Sequence, residues 1–131
     1  MIVPRYTREI PHRMRLEAGK CKECGYIAFP RRLVCPQCGK RAFDKINLKP
    51  QGKILTFTII HIAADDFSTQ VPFAVAVIET VEGARLTAQV VDCRPQEVEI
   101  GKKVRLMTRL IQKEGHAGIL QYGYKAVLER N

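Results

Sequence analysis

CKECGYIAFPRRLVCPQCG, running from Cys21 to Gly39, decides how this chain is read. Two Cys-x-x-Cys pairs, Cys21/Cys24 and Cys35/Cys38, each run straight into a glycine, Gly25 and Gly39. A pair so spaced turns two thiolates onto one centre and lets nearby backbone N–H groups bond the sulfurs. The glycine that follows tolerates the positive φ such a knuckle often needs. Four thiolates suit Zn²⁺, which imposes no geometry of its own and accepts a closed tetrahedral shell of four cysteines. The ten-residue spacer is shorter than the commonest ribbon spacing, yet long enough for a small hairpin that brings the knuckles together. Two disulfides would require an oxidising compartment, and the N-terminal MIVPRYTREI carries no secretory pattern. A redox motif would not need duplicating. The stretch predicts a rubredoxin-like structural zinc ribbon with Cys21, Cys24, Cys35 and Cys38 as ligands.

On the N-terminal side, Pro11, then HRMRLEA, then Gly19 predict a short helix, with proline in its first turn and glycine just past its end. If helix also precedes Pro11, Tyr6, Ile10 and Met14 share one face, and Arg5, Arg8, Arg13 and Arg15 line the others. So short a helix is marginal in water and needs something to pack against. On the C-terminal side, residues 41–53 read as a connection containing Pro50 and Gly52. The texture then becomes β-branched and aromatic. Residues 53–62, 73–79, 84–91, 103–112 and 119–128 predict five strands, with loops at 63–72 and around 92–102 and a turn at 114–118. Five short strands with that spacing suit a small Greek-key barrel of the OB type, whose closure removes exposed strand edges. Gly123 within the last strand predicts a bend or bulge there. The expected architecture is mainly β: a helical segment over 1–20, a zinc ribbon over 21–50 and a five-stranded OB barrel over 51–131.

The chain has 131 residues and a formal net charge of +9, the size of one domain or of two small modules sharing a core. The charge is one-sided. Residues 1–53 hold 13 Lys/Arg against 4 Asp/Glu, whereas residues 54–131 hold 9 of each. A basic head favours a polyanionic partner: nucleic acid, a phosphate-bearing ligand or an acidic protein face. No apolar run approaches the ~20 residues that span a bilayer, so a soluble cytoplasmic protein without a membrane partner is expected. His12, His61 and His116 lie in separate elements and assemble no base–nucleophile set. Cys93, beside Arg94, is the fifth cysteine and is left unpaired by the ribbon. With no phosphate loop or dinucleotide fingerprint, the residues argue against an enzyme acting alone. A binding module remains. Single-stranded nucleic acid is one candidate partner, although base stacking requires aromatic platforms beside cations and the barrel half is charge-neutral.

From Arg8 to Gly39, REIPHRMRLEAGKCKECG followed by IAFPRRLVCPQCG resembles the archaeal branch of the zinc-ribbon/OB-fold family long catalogued as a domain of unknown function and often encoded beside thiolases. Gly52, Thr58, Val71-Pro72-Phe73 and Ile100-Gly101 match its later marks. In one departure, the family usually has a second proline and then arginine after Phe29-Pro30; here Arg31-Arg32 follows, and Arg32 is the match. The resemblance implies a non-catalytic scaffold between acetyl-CoA acetyltransferase (thiolase) and hydroxymethylglutaryl-CoA synthase of the mevalonate route. It also implies a shared coenzyme A pocket through which acetoacetyl-CoA passes. Phe29, Arg31 and Arg32 at the ribbon tip are the expected ligand contacts.

Overall fold

The computed structural model describes residues 4–113 and 120–129, apart from the side chain of Tyr6. The expected turn at 114–118 with His116, and the place of Tyr6 on a helical face, lie outside the described residues. The chain opens with a helix, α1 (Pro4–Met14), followed by β1 (Glu17–Cys21), β2 (Ile27–Ala28) and β3 (Phe43–Asn47). These three strands form a small sheet in the order β2-β1-β3. Next come β4 (Gln51–Ile60), β5 (Phe73–Thr80), β6 (Arg85–Val91), β7 (Lys103–Lys113) and β8 (Leu120–Leu128). They close into a barrel in the order β4-β5-β6-β8-β7. The last strand thus slots between β6, which it meets in parallel, and β7, which it meets antiparallel.

The barrel follows from period-two patterning. Along β5, Ala74, Ala76, Ile78 and Thr80 are buried while their neighbours are only half-buried. Ala74, Ala76, Ala88 and Ala126 alternate inside with Ile54, Ile78, Leu86 and Val104, the mix of small and large side chains that fills a narrow barrel. Gly52 lets β4 lie hard against β5. A Cβ there would stand 2.6 Å from the Glu79 carbonyl oxygen and 2.7 Å from the Ile78 side chain.

Three expectations change. The helix lies earlier than Pro11–Gly19 suggests: Pro11 sits inside α1, and Leu16 turns the chain at φ 52°. The helix-favouring Leu-Glu-Ala is drawn instead into β1 and its vicinity, because β1 pairs with β3 along its whole length, from Glu17 opposite Asn47 to Cys21 opposite Phe43. Tertiary pairing overrides local propensity here. The supposed connection after the ribbon therefore contains a strand. Thirdly, the bulge expected at Gly123 lies across the ladder in β7, where Ile111 is the extra residue between Leu110 and Gln112. Gly123 makes room for it, since a Cβ would come within 3.0 Å of Ile111 Cγ1.

Head and barrel are not separate bodies. Leu16, Ala18 and Leu48 belong to the same buried cluster as the barrel interior, and Ile27, Phe29 and Ile46 pack against it. The Leu48 amide donates to the Leu16 carbonyl at 2.9 Å, and the Leu106 amide donates to Pro50 at 2.9 Å. Helix α1 packs on β8, the partner its length requires. No helix among the described residues is long and apolar enough to cross a membrane.

Candidate functional site

The two knuckles are near copies of each other. Gly25 donates its amide to Cys21 O at 3.0 Å, and Gly39 donates to Cys35 O at 2.9 Å; both glycines take positive φ, 78° and 76°. The Cys21 amide bonds Tyr26 O and the Cys35 amide bonds Lys40 O, each at 2.8 Å, which closes the loops. The four sulfurs then converge: Cys21 to Cys38 and Cys24 to Cys35 are each 3.5 Å apart, and all four lie within 4.8 Å of one another. Sulfurs about 2.3 Å from a central zinc stand roughly 3.8 Å apart in a tetrahedron, so the set fits that ion. Cys21 and Cys35 are buried while Cys24 and Cys38 face solvent. The Cys24 amide bonds the Cys21 sulfur and, with a second bond from Glu23, outweighs burial to hold that thiol down to about 7, whereas burial and the neighbouring thiols push Cys24 and Cys38 up.

Behind the ribbon stands a buried carboxylate. Glu17 accepts from Arg15 at 2.7 Å and from His12 at 2.8 Å, and pairs with Lys45 at 3.3 Å. Burial pushes its carboxyl up, but Arg15, His12 and Lys45 outweigh it and hold the pKa down to about 2. Glu17 thereby ties α1, β1 and β3 together.

Between head and barrel the surface is hollow. A groove of about 550 Å³ runs over the barrel wall, lined by Phe67, Phe73, Val75, Gln121 and Tyr124. It adjoins a cup of about 370 Å³ under the ribbon tip, lined by Arg31, Arg32, Leu33 and Arg41 with Glu9 and Glu17. Arg13, Phe29 and Pro30 line both recesses. Phe29 packs on Tyr124, ring centres 5.6 Å apart, and so fixes the ribbon tip to β8. Of the expected ligand contacts, Phe29 thus stands at the junction and Arg31 and Arg32 line the cup. Arg31, Arg32 and Arg41 have no acidic partner among the described residues. Gln121 is only 8% exposed, and its amide makes no hydrogen bond among the described residues. His12 serves Glu17, His61 is exposed, and Cys93 is half-buried beside Pro95 in a separate small recess. Sequence reading missed Arg13, Arg41 and Gln121 as members of one site. They are brought together by α1, by the hydrogen bond from Lys22 N to Ala42 O at 3.0 Å, and by β8; the elements have local patterns, but their meeting at one site has none.

Comparison with known proteins agrees with this arrangement. Residues 9–44 match the family described as the rubredoxin-like zinc ribbon domain of ChsH2, and residues 46–109 match its C-terminal OB-fold domain. A "DUF35 domain-containing scaffold protein" of Methanocaldococcus jannaschii is 42% identical over 125 residues, covering 95% of this chain and 89% of the relative. The chain belongs to the DUF35 family. A more distant relative of this DUF35 protein is the benzoylsuccinyl-CoA thiolase subunit BbsA of Thauera aromatica, 31% identical over 74 residues, which are 56% of this chain and 50% of the subunit. Among solved structures, the one titled "Ltp2-ChsH2(DUF35) aldolase" superposes with a TM-score of 0.69 at 24% identity, over 93% of this chain and 91% of that one. At that identity the likeness establishes the shared fold of ribbon and barrel. The family's zinc ribbon and the four-cysteine cluster together make this DUF35 protein's metal centre a structural zinc site.

Proposed function

We propose that this chain is a non-catalytic scaffold subunit for a thiolase-type enzyme. In the fuller form of the reading it bridges acetyl-CoA acetyltransferase and hydroxymethylglutaryl-CoA synthase in the mevalonate route and completes a coenzyme A pocket they share. The coarser statement draws on relatives named as scaffold proteins and as a thiolase subunit. The observation that carries the ligand is the junction at Arg13, Phe29 and Pro30, where an arginine-lined cup meets an apolar groove. Coenzyme A has that same division, with phosphates at one end and a long arm bearing amides at the other. Arginine forks suit the phosphates, and the Gln121 amide is a partner for an amide of the arm. Thiolase condensation runs uphill, so holding its product beside the enzyme that consumes it pulls the reaction forward through effective concentration.

Replacing both Arg31 and Arg32 with Ala is expected to weaken coenzyme A binding by about tenfold or more, given charge-assisted bonds of roughly 1.5–3 kcal/mol each. Calorimetric titration of coenzyme A into the chain assembled with its thiolase partner reads this directly. Unchanged coenzyme A affinity together with unchanged recovery of thiolase would withdraw the reading. Single-stranded nucleic acid is the alternative occupant. It would be selected by oligonucleotide binding that falls steeply with salt.

A further inference from the structure

The two most exposed large apolar side chains among the described residues are Ile62, 93% exposed, and Leu33, 88% exposed. They line two adjoining recesses: Ile62 lines the groove, Leu33 lines the cup, and the two share Arg13, Phe29 and Pro30 as lining. Single exposed apolar residues are ordinary on a protein surface. Two that line adjoining recesses are a different matter, because a partner that covers both recesses covers both side chains. Leu33 stands two residues before the knuckle at Cys35, whose backbone is closed by the bond from Cys35 N to Lys40 O at 2.8 Å, so the backbone beside it has less freedom to lose on docking than an open loop. The charges near the two residues also differ in sign. Arg31, Arg32 and Arg41 line the cup with Leu33 and outnumber Glu9 there, whereas Asp65 and Asp66 follow Ile62 in the chain, and these three arginines and two aspartates are exposed. None of those five has an ion-pair partner among the described residues.

We infer that Leu33 and Ile62 are the two anchors of a docking rim. Its occupant is a protein face with two apolar recesses, acidic beside the one that takes Leu33 and basic beside the one that takes Ile62. A partner seated there roofs both recesses, and the difference in charge between the two ends favours one orientation. The inference rests on the reading above that the chain assembles with a thiolase-type enzyme, and it names the surface used.

The test measures the dissociation constant between the full zinc-loaded chain and the thiolase of the same organism, by analytical ultracentrifugation at fixed salt. Leu33→Glu and Ile62→Glu are each expected to weaken the complex at least tenfold, and the double variant to abolish it, while Leu33→Met keeps wild-type affinity. Val81→Glu and Ile100→Glu remove exposed apolar residues that line neither recess and are expected to change nothing. Zinc content and thermal melting confirm that each variant is folded. A wild-type complex that Leu33→Glu and Ile62→Glu leave intact overturns the docking rim while the scaffold reading stands. Weakening by all four variants alike also overturns it, because association is then indifferent to the recess. A wild-type chain that forms no complex with thiolase overturns both.

Discussion

Glu17 is a buried carboxylate ringed by His12, Arg15 and Lys45. Its folded pKa of about 2 lies below the ordinary 4.5, so its ionised form favours the fold. The stabilisation is fully present above the ordinary value and is lost as pH falls towards the depressed one. Acid unfolding of the wild type should therefore include a limb between about pH 4.5 and 2 that Glu17→Gln lacks. The variant should also melt lower than wild type at neutral pH. Measuring the difference between the two proteins, each with zinc loaded, separates this limb from protonation of the cysteines. Superimposable pH–stability curves would mean the three cations do not act on Glu17.

At the scale of elements, Gly52 is the described glycine with the least room for a side chain, where β4 lies against β5. Gly52→Ala must push apart two backbones rather than rotate a flexible side chain, so it should cost about 1–3 kcal/mol, as overpacking does. Urea denaturation would read this as a lowered midpoint with an unchanged slope. The elements also show where sequence reading succeeds. The five barrel strands were legible because alternation such as Leu86, Ala88 and Val90 against Arg85, Thr87 and Gln89 is local. The zinc ligands were legible for the same reason, since each knuckle closes within a few residues. β3 was not, because Phe-Asp-Lys-Ile-Asn has little strand character of its own and is held by its pairing with β1. The helix boundary failed for a related reason: Leu16 to Ala18 favour helix locally but are claimed by the common core. Arg13 and Gln121, 108 positions apart in the chain, could be joined in one hollow only by the completed fold.

For the whole molecule, the common core of head and barrel makes the metal a global matter. A structural zinc contributes on the order of 10 kcal/mol to the fold it closes. Because Leu16, Ala18 and Leu48 are shared with the barrel interior, that loss cannot stay inside the ribbon. Titration with a strong chelator should lower the melting temperature of the entire chain in a single transition, followed in parallel by ribbon and barrel amide signals. A barrel that kept its melting temperature after the zinc was removed would show the two halves to be energetically separate.

The position of β8 has a consequence for synthesis on the ribosome. Residues 21–38 can gather their metal as soon as they emerge, but β6 and β7 have no bridge between them until the strand after Leu120 is made. Helix α1 is tied to β1 through His12 and Glu17, but it packs most heavily on β8. Until β8 is made, the nascent sheet therefore keeps open edges at β6 and β7, the metal is held by a head whose core is still incomplete, and the sheet becomes safe from edge-to-edge association there only when that strand arrives.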